Sequence, residues 1–124
     1  MQKTVVFDFD GVIHNYRNGW KAPHIIDDTP VHGIREAIAD IRVAGYRVVV
    51  VSARCGYPEG LQAIRMWLSD NNIEVDAVTM EKPPAICYID DRAICFNGHP
   101  ETLLDKIENF ETWNKKSLED IKGE

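Results

Sequence analysis

Short apolar runs of the 124-residue chain alternate with longer stretches in which apolar residues recur every three or four positions. The runs at residues 4–9 and 47–51 are rich in valine and predict two strands. After Arg47 the second is an unbroken run of four valines, as in a strand buried on both faces of a parallel sheet. Between them lies the spacing of one helix face, formed by Ile34, Ala37, Ile38 and Ile41. Gly45 is a suitable end for this helix.

The second half of the chain continues the alternation. Residues 59–71 have the spacing of a helix, residues 77–79 and 85–89 predict short strands, and a last helix is predicted to begin near Pro100. The apolar stripes of the two helices are Leu61, Ile64, Trp67 and Leu68 in the first, and Leu103, Leu104, Ile107 and Phe110 in the second. Strands that alternate with helices indicate βαβ units, and hence an α/β fold with a parallel sheet.

Composition and charge narrow the class of protein. With 44% hydrophobic and 27% charged residues, the chain suits one soluble domain, which we predict at residues 1–114 and followed by a charged tail at 115–124. No apolar run approaches the length of a membrane span and no signal peptide is visible, so we expect a cytoplasmic protein without a membrane partner. The net charge of −6 argues against non-specific binding to long nucleic acids.

The three cysteines, Cys55, Cys87 and Cys95, share no metal-binding spacing. A reducing compartment is the simplest setting for such a set, since three cysteines cannot all pair within one chain. We expect Cys87 and Cys95 to lie in the core.

One long irregular stretch, residues 13–32, separates the first strand from the first helix. It contains Gly19, Pro23 and Pro30, which favour turns. Loops of this length in compact domains are usually functional or mobile, and we predict a flap loop here.

Polar residues follow the predicted strands at the points where those strands end. The four clusters are Asp8-Phe9-Asp10-Gly11, Ser52-Ala53-Arg54, Lys82 ahead of the last strand, and Asp90-Asp91-Arg92 after it. In open α/β sheets, ligands bind at the carboxyl ends of the strands. We therefore expect these clusters to converge at one edge of the sheet.

Such a cluster has a specific chemistry. Several carboxylates close together repel each other unless a cation lies between them, and an all-oxygen donor set suits Mg²⁺. Lysine, arginine and serine are the donors expected around a phosphoryl group. An aspartate beside them can attack phosphorus, while a second aspartate protonates the leaving oxygen and then activates water. Gly11 would allow a sharp turn directly after the acids.

Four segments resemble, in the correct order, the motifs of the haloacid dehalogenase (HAD) phosphohydrolase superfamily. They are V-V-F-D-F-D-G-V-I, V-V-V-V-S-A-R, the lysine of E-K-P-P, and A-I-C-Y-I-D-D-R. The resemblance covers residues 4–96. It implies a Rossmann-like three-layer α/β/α sandwich around a central parallel sheet, and a Mg²⁺-dependent phosphatase that acts through an aspartyl-phosphate intermediate.

The resemblance also implies residue roles. Asp8 matches the nucleophile, and Asp10 matches the general acid/base. Ser52 matches the hydroxyl that binds the phosphoryl group, and Lys82 matches the lysine that neutralises the nucleophile. The implied metal ligands are Asp8, Asp10 through its backbone carbonyl, and the pair Asp90 and Asp91, either of which could be the direct ligand. The predicted substrate contacts are Gly11, Ser52, Arg54 and Lys82.

Members of this family often carry an inserted cap domain at one of two positions. Neither residues 13–32 nor the interval between Ser52 and Lys82 has room for one, so the chain resembles a capless member. An open site of this kind would suit a homodimer or another partner that closes it.

The substrate is left open between two classes. The resemblance implies a small phosphorylated metabolite or nucleotide. The segments S-A-R and D-D-R are also similar to the phosphatase domain of polynucleotide kinase-phosphatases, which remove 3′-phosphates from nucleic-acid ends; there Arg54 would contact the substrate phosphate. A structural ion pair is the alternative role for Arg54, and Arg92 is expected to pair with local carboxylates.

Two alternatives belong to other functional classes. The first is a non-catalytic protein that binds a phosphorylated ligand. The second is a phospho-receiver module, which uses acids, a lysine and Mg²⁺ on a similar sheet. A receiver places its acidic pair first and its lysine last, whereas here the acidic pair Asp90-Asp91 follows Lys82.

Overall fold

The computed structural model describes residues 2–114. Its contacts divide the chain into two compact units, Met1–Asp90 and Asp91–Glu124. The predicted single domain at residues 1–114 stays a prediction, and the predicted charged tail at 115–124 lies outside the described residues.

The first unit contains all of the described strands. Its elements are β1 (Thr4–Asp8), α1 (Ile34–Val43), β2 (Arg47–Val51), a 3₁₀ turn (Ala53–Gly56), α2 (Pro58–Asp70), β3 (Ala77–Thr79) and β4 (Cys87–Ile89). The second unit contains a 3₁₀ turn (Pro100–Thr102) and α3 (Leu103–Glu108). The periodicity thus predicted every one of these strands and α-helices, with differences of a few residues at their ends.

The four strands form one sheet in the order β3-β2-β1-β4, and every neighbouring pair is parallel. β1 lies inside the sheet, where Phe7 pairs with Val50 of β2 and with Ile89 of β4. The predicted α/β class with a central parallel sheet is therefore confirmed.

Alternate residues of β1 and β2 point to opposite faces of the sheet, and both faces are apolar. Phe7 and Val50 belong to the larger core, which also contains Ile38 of α1 and Ile64 of α2. A smaller core on the other face comprises Val6, Val49 and Val51. Because valine suits both faces, residues 48–51 of β2 form an unbroken apolar run.

Two expectations about buried residues are wrong. Cys87 and Cys95 are exposed. β4 is one of the two edge strands of the described sheet, and its Ile89 packs against the larger core. Helix α3 contains no buried residue, and Leu104 and Ile107 on its predicted apolar face are exposed.

Within residues 2–114, no helix combines the length and the apolar character that crossing a membrane requires.

Candidate active site

Three of the predicted site residues lie at the carboxyl ends of neighbouring strands. Asp8 is the last residue of β1, Ser52 follows β2, and Asp90 follows β4. From β1 the chain continues to β2, which lies on one side of β1 in the sheet, whereas β4 lies on the other side. This is a topological switch point, where the crevice at the end of an open α/β sheet binds ligands.

Asp8 and Asp90 bring two half-buried carboxylates together across the β1–β4 pair. One oxygen of each lies within 4.8 Å of the other. The Nζ atom of Lys82 lies 3.6 Å from Oδ2 of Asp90 and 5.5 Å from the centroid of the Tyr88 ring. Two carboxylates at this separation favour a cation between them, and hard oxygen donors fit Mg²⁺. Asp91 follows directly in the chain as the first residue of the second unit.

The turn after β1 fixes where Asp10 lies. The carbonyl of Phe9 accepts hydrogen bonds from the backbone N–H groups of Ile13 at 2.9 Å and His14 at 3.0 Å. Gly11 has φ = 84°, a left-handed conformation that favours glycine, and its N–H donates to the carbonyl of His14 at 2.8 Å. The predicted sharp turn is present.

The carboxylate of Asp10 is surrounded by donors. Nδ1 of His14 lies 2.8 Å from Oδ1. Arg54 donates from Nε to Oδ2 at 2.9 Å and from Nη2 to Oδ1 at 3.3 Å. The proximity of Asp10 and His14 is suggested by their spacing of four residues. The predicted convergence of the strand ends places Arg54 near Asp10, but the sequence does not indicate that the two side chains pair directly.

Arg54 has no exposed surface. Its Nη1 atom donates to the carbonyls of Ala22, Pro23 and Ile25 at 2.9 to 3.0 Å, and its guanidinium carbon lies 4.6 Å from the centroid of the Trp20 ring. Within the protein, these contacts already use much of the hydrogen-bonding capacity of the guanidinium. The predicted contact of Arg54 with a substrate stays a prediction.

Ser52 starts the 3₁₀ turn that carries Arg54. Its side-chain oxygen accepts a hydrogen bond from the backbone N–H of Arg54 at 3.1 Å, and its backbone N–H donates to the carbonyl of Thr79 at 3.1 Å. This capping places the Ser52 hydroxyl at the carboxyl edge of the sheet.

The loop of residues 13–32 is fastened to itself and to the rest of the unit. The Asn15 side chain donates to the carbonyls of Thr29 and Pro30, and Arg17 forms a two-pronged ion pair with Asp28. The indole N–H of Trp67 in α2 donates to the carbonyl of Asp28 at 3.2 Å. The predicted flap is therefore a folded loop with its own hydrogen-bonded framework.

Asp28 should make this loop sensitive to acid. Its hydrogen bonds from Arg17 hold the pKa of the carboxyl well below its usual range. A lowered pKa adds stability that is complete above the unfolded pKa of about 3.9 and is lost progressively as pH falls from there through the still lower folded pKa. Asp28→Asn should lower the free energy of unfolding by about 1 kcal/mol at pH 7 and by less at pH 3, where part of the contribution of the ionised carboxylate is already lost.

Urea denaturation at the two pH values measures this difference. Asp40→Asn changes an exposed aspartate on α1 and serves as the control. If Asp28→Asn lowers the free energy of unfolding by the same amount at pH 3 and at pH 7, the role assigned to the ionised carboxylate is contradicted.

Comparisons with known proteins yield little. No family model matches the chain, and no curated protein matches it. Among solved structures, a D,D-heptose 1,7-bisphosphate phosphatase from Burkholderia thailandensis is similar, with 32% sequence identity and a TM-score of 0.45. The match covers 63% of this chain and 52% of that one, so it spans about half the length of the solved protein.

Proposed function

We propose that the chain is a Mg²⁺-dependent phosphomonoester hydrolase of the capless HAD type, acting through an aspartyl-phosphate on Asp8. The observation that carries this proposal is the pairing of Asp8 and Asp90, whose carboxylate oxygens lie within 4.8 Å, with the Nζ atom of Lys82 3.6 Å from Asp90. A nucleophile, a cation site and a fixed positive charge at one strand edge are the elements that phosphoryl transfer requires.

The donor set fits a divalent cation. Asp8 and Asp90 would hold it, with the backbone carbonyl of Asp10 and the carboxylate of Asp91 as further candidate ligands. When bound, Mg²⁺ would neutralise negative charge and attract the phosphoryl group. Lys82 would add a second positive charge beside the nucleophile.

Two displacements at phosphorus make up the proposed reaction. In the first, a carboxylate oxygen of Asp8 bonds to phosphorus, the ester P–O bond breaks, and Asp10 gives its proton to the leaving oxygen. In the second, Asp10 takes a proton from water as that water attacks the phosphoaspartate. Phosphate then leaves with the P–O bond to Asp8 broken, and both aspartates are restored. The Ser52 hydroxyl would bind a phosphoryl oxygen throughout.

We further propose a small phosphorylated metabolite or a nucleotide as the substrate. The capless assignment is supported by what fills the two insertion positions: the loop of residues 13–32 at the first, and α2 and β3 at the second. Removal of a 3′-phosphate from nucleic-acid ends is the alternative. A panel of sugar phosphates, nucleotides and 3′-phosphorylated oligonucleotides separates the two. Oligonucleotides that react no faster than free phosphomonoesters would exclude the alternative.

Metal removal tests the proposed reaction. Dialysis against EDTA should lower the turnover of p-nitrophenyl phosphate by about 10³-fold or more, because the repulsion between carboxylates and phosphate would be unscreened. Added Mg²⁺ should restore it, and Ca²⁺ should restore much less, since its ligand distances are longer and its geometry less regular. A rate that EDTA leaves unchanged contradicts the proposal.

A further inference from the structure

We propose that His14 and Arg54 are positioning residues that hold the Asp10 carboxylate in one orientation for proton transfer. This inference rests on the proposed function. It concerns three side chains that the structure joins directly, one of which, His14, has no role in the proposed reaction itself.

The neighbours of the His14 ring fix its tautomer. Its Nε2 atom lies 3.1 Å from the backbone nitrogen of Asp28, which can only donate a hydrogen. Nε2 therefore accepts, and in the neutral ring Nδ1 carries the hydrogen. That hydrogen points at Oδ1 of Asp10, 2.8 Å away.

The ring of His14 is fixed in place as well as in tautomer. Only 1% of the residue is exposed. The ring stacks on Phe9 with centroids 5.6 Å apart and meets the edge of Trp67 at 5.6 Å. Because backbone and aromatic neighbours set the ring, its hydrogen bond can hold Asp10.

Arg54 is oriented independently of Asp10. Three loop carbonyls, those of Ala22, Pro23 and Ile25, accept from its Nη1 atom. The Nε and Nη2 atoms then face the two oxygens of Asp10 at 2.9 and 3.3 Å. A planar guanidinium held by these carbonyls fixes the plane of the carboxylate.

The two oxygens of Asp10 are not equivalent. Oδ1 accepts from both His14 and Arg54, which occupies both of its lone pairs. Oδ2 accepts from Nε of Arg54. Among the bonds that the structure describes, Oδ2 is thus the oxygen with the lone pair for proton transfer. A proton donor held in one orientation loses less entropy when it meets the leaving oxygen.

A purely structural role for the same contacts predicts a different result. If His14 and Arg54 only fasten the loop of residues 13–32, their loss should slow all substrates alike. If they position the acid, the loss should depend on the leaving group. An alkyl phosphate needs protonation of its leaving oxygen, whereas p-nitrophenolate leaves readily without it.

The experiment compares kcat for β-glycerol phosphate and p-nitrophenyl phosphate in Arg54→Lys and His14→Phe. We expect a loss of about 10²-fold on the alkyl phosphate and less than about tenfold on the aryl phosphate. His14→Asn, whose side-chain amide can donate from near the position of Nδ1, should recover part of the alkyl phosphate activity. Arg42→Lys, in a surface ion pair with Glu74 and Asp76, is the matched control and should retain both activities.

Nitrogen NMR of His14 in the metal-free wild-type protein gives a readout that does not depend on turnover. The expected spectrum has a protonated Nδ1 and an unprotonated Nε2. The opposite tautomer, or equal losses on both substrates in the folded variants, overturns the inference and leaves the proposed function standing. A wild-type protein that hydrolyses neither substrate with Mg²⁺ contradicts the proposed function itself. If Arg54→Lys does not fold, the His14→Phe and His14→Asn pair decides.

Discussion

Asp8→Asn is expected to lower the hydrolysis of p-nitrophenyl phosphate by about 10⁴-fold or more. Asparagine keeps the size of the side chain but lacks the charged oxygen that attacks phosphorus, so the covalent route closes. It also removes one of the two carboxylates that lie within 4.8 Å of each other, which weakens cation binding. Steady-state turnover at saturating Mg²⁺ separates the lost nucleophile from the weakened metal site.

Asp40→Asn gives the matched control, because it makes the same chemical change at an exposed position of α1. Equal turnover by the wild type and Asp8→Asn would rule out the aspartyl-phosphate mechanism. A wild-type protein that is stably phosphorylated by acetyl phosphate and hydrolyses no ester would instead favour the receiver-like alternative.

Gly60→Ala is expected to destabilise the first unit by about 3 kcal/mol. This is the opposite of the usual effect, since alanine normally stabilises a helix relative to glycine. A Cβ atom at Gly60, in the first turn of α2, would lie 2.1 Å from the carbonyl oxygen of Arg54 and 3.2 Å from Cβ of Pro23. Backbone must move to relieve the first contact. The displacement falls on the residue that holds Asp10, so turnover should drop together with the midpoint of urea denaturation.

Gly56→Ala separates this clash from a general effect of removing a glycine. The added Cβ would lie 3.1 Å from the sulfur of Met80, an exposed and flexible side chain that can turn away. We expect a change below about 1 kcal/mol. If Gly60→Ala and Gly56→Ala have the same free energy of unfolding, the prediction that α2 packs too closely against the Arg54 turn to admit a Cβ atom is wrong.

The positions of Asp8 and Asp90 could be predicted because they depend on short-range pattern and on one general rule. Valine-rich runs define the strands, helices between strands make the sheet parallel, and parallel strands end at one edge. Each acid directly follows or ends its strand, so little freedom is left for where it lies.

The surroundings of Arg54 could not be predicted in the same way. Its burial depends on backbone carbonyls at Ala22, Pro23 and Ile25, and backbone groups leave no residue signature in a sequence. An arginine after a strand is usually exposed, which favours a ligand contact as the first interpretation. Cys87 was misplaced for a related reason: apolar residues predict a strand, but they do not reveal that the strand lies at the sheet edge.

The strand order β3-β2-β1-β4 also determines when, during synthesis of the chain, the two carboxylates can come together. β1, β2 and β3 can associate with α1 and α2 before β4 is made, since β2 pairs with β1 and β3 pairs with β2, each with a strand that is already synthesised. β4 is synthesised last and pairs with the first strand of the chain. Asp90, the partner of Asp8, therefore arrives only at the end of translation of this unit, and a nascent chain that stops before β4 lacks the paired carboxylates.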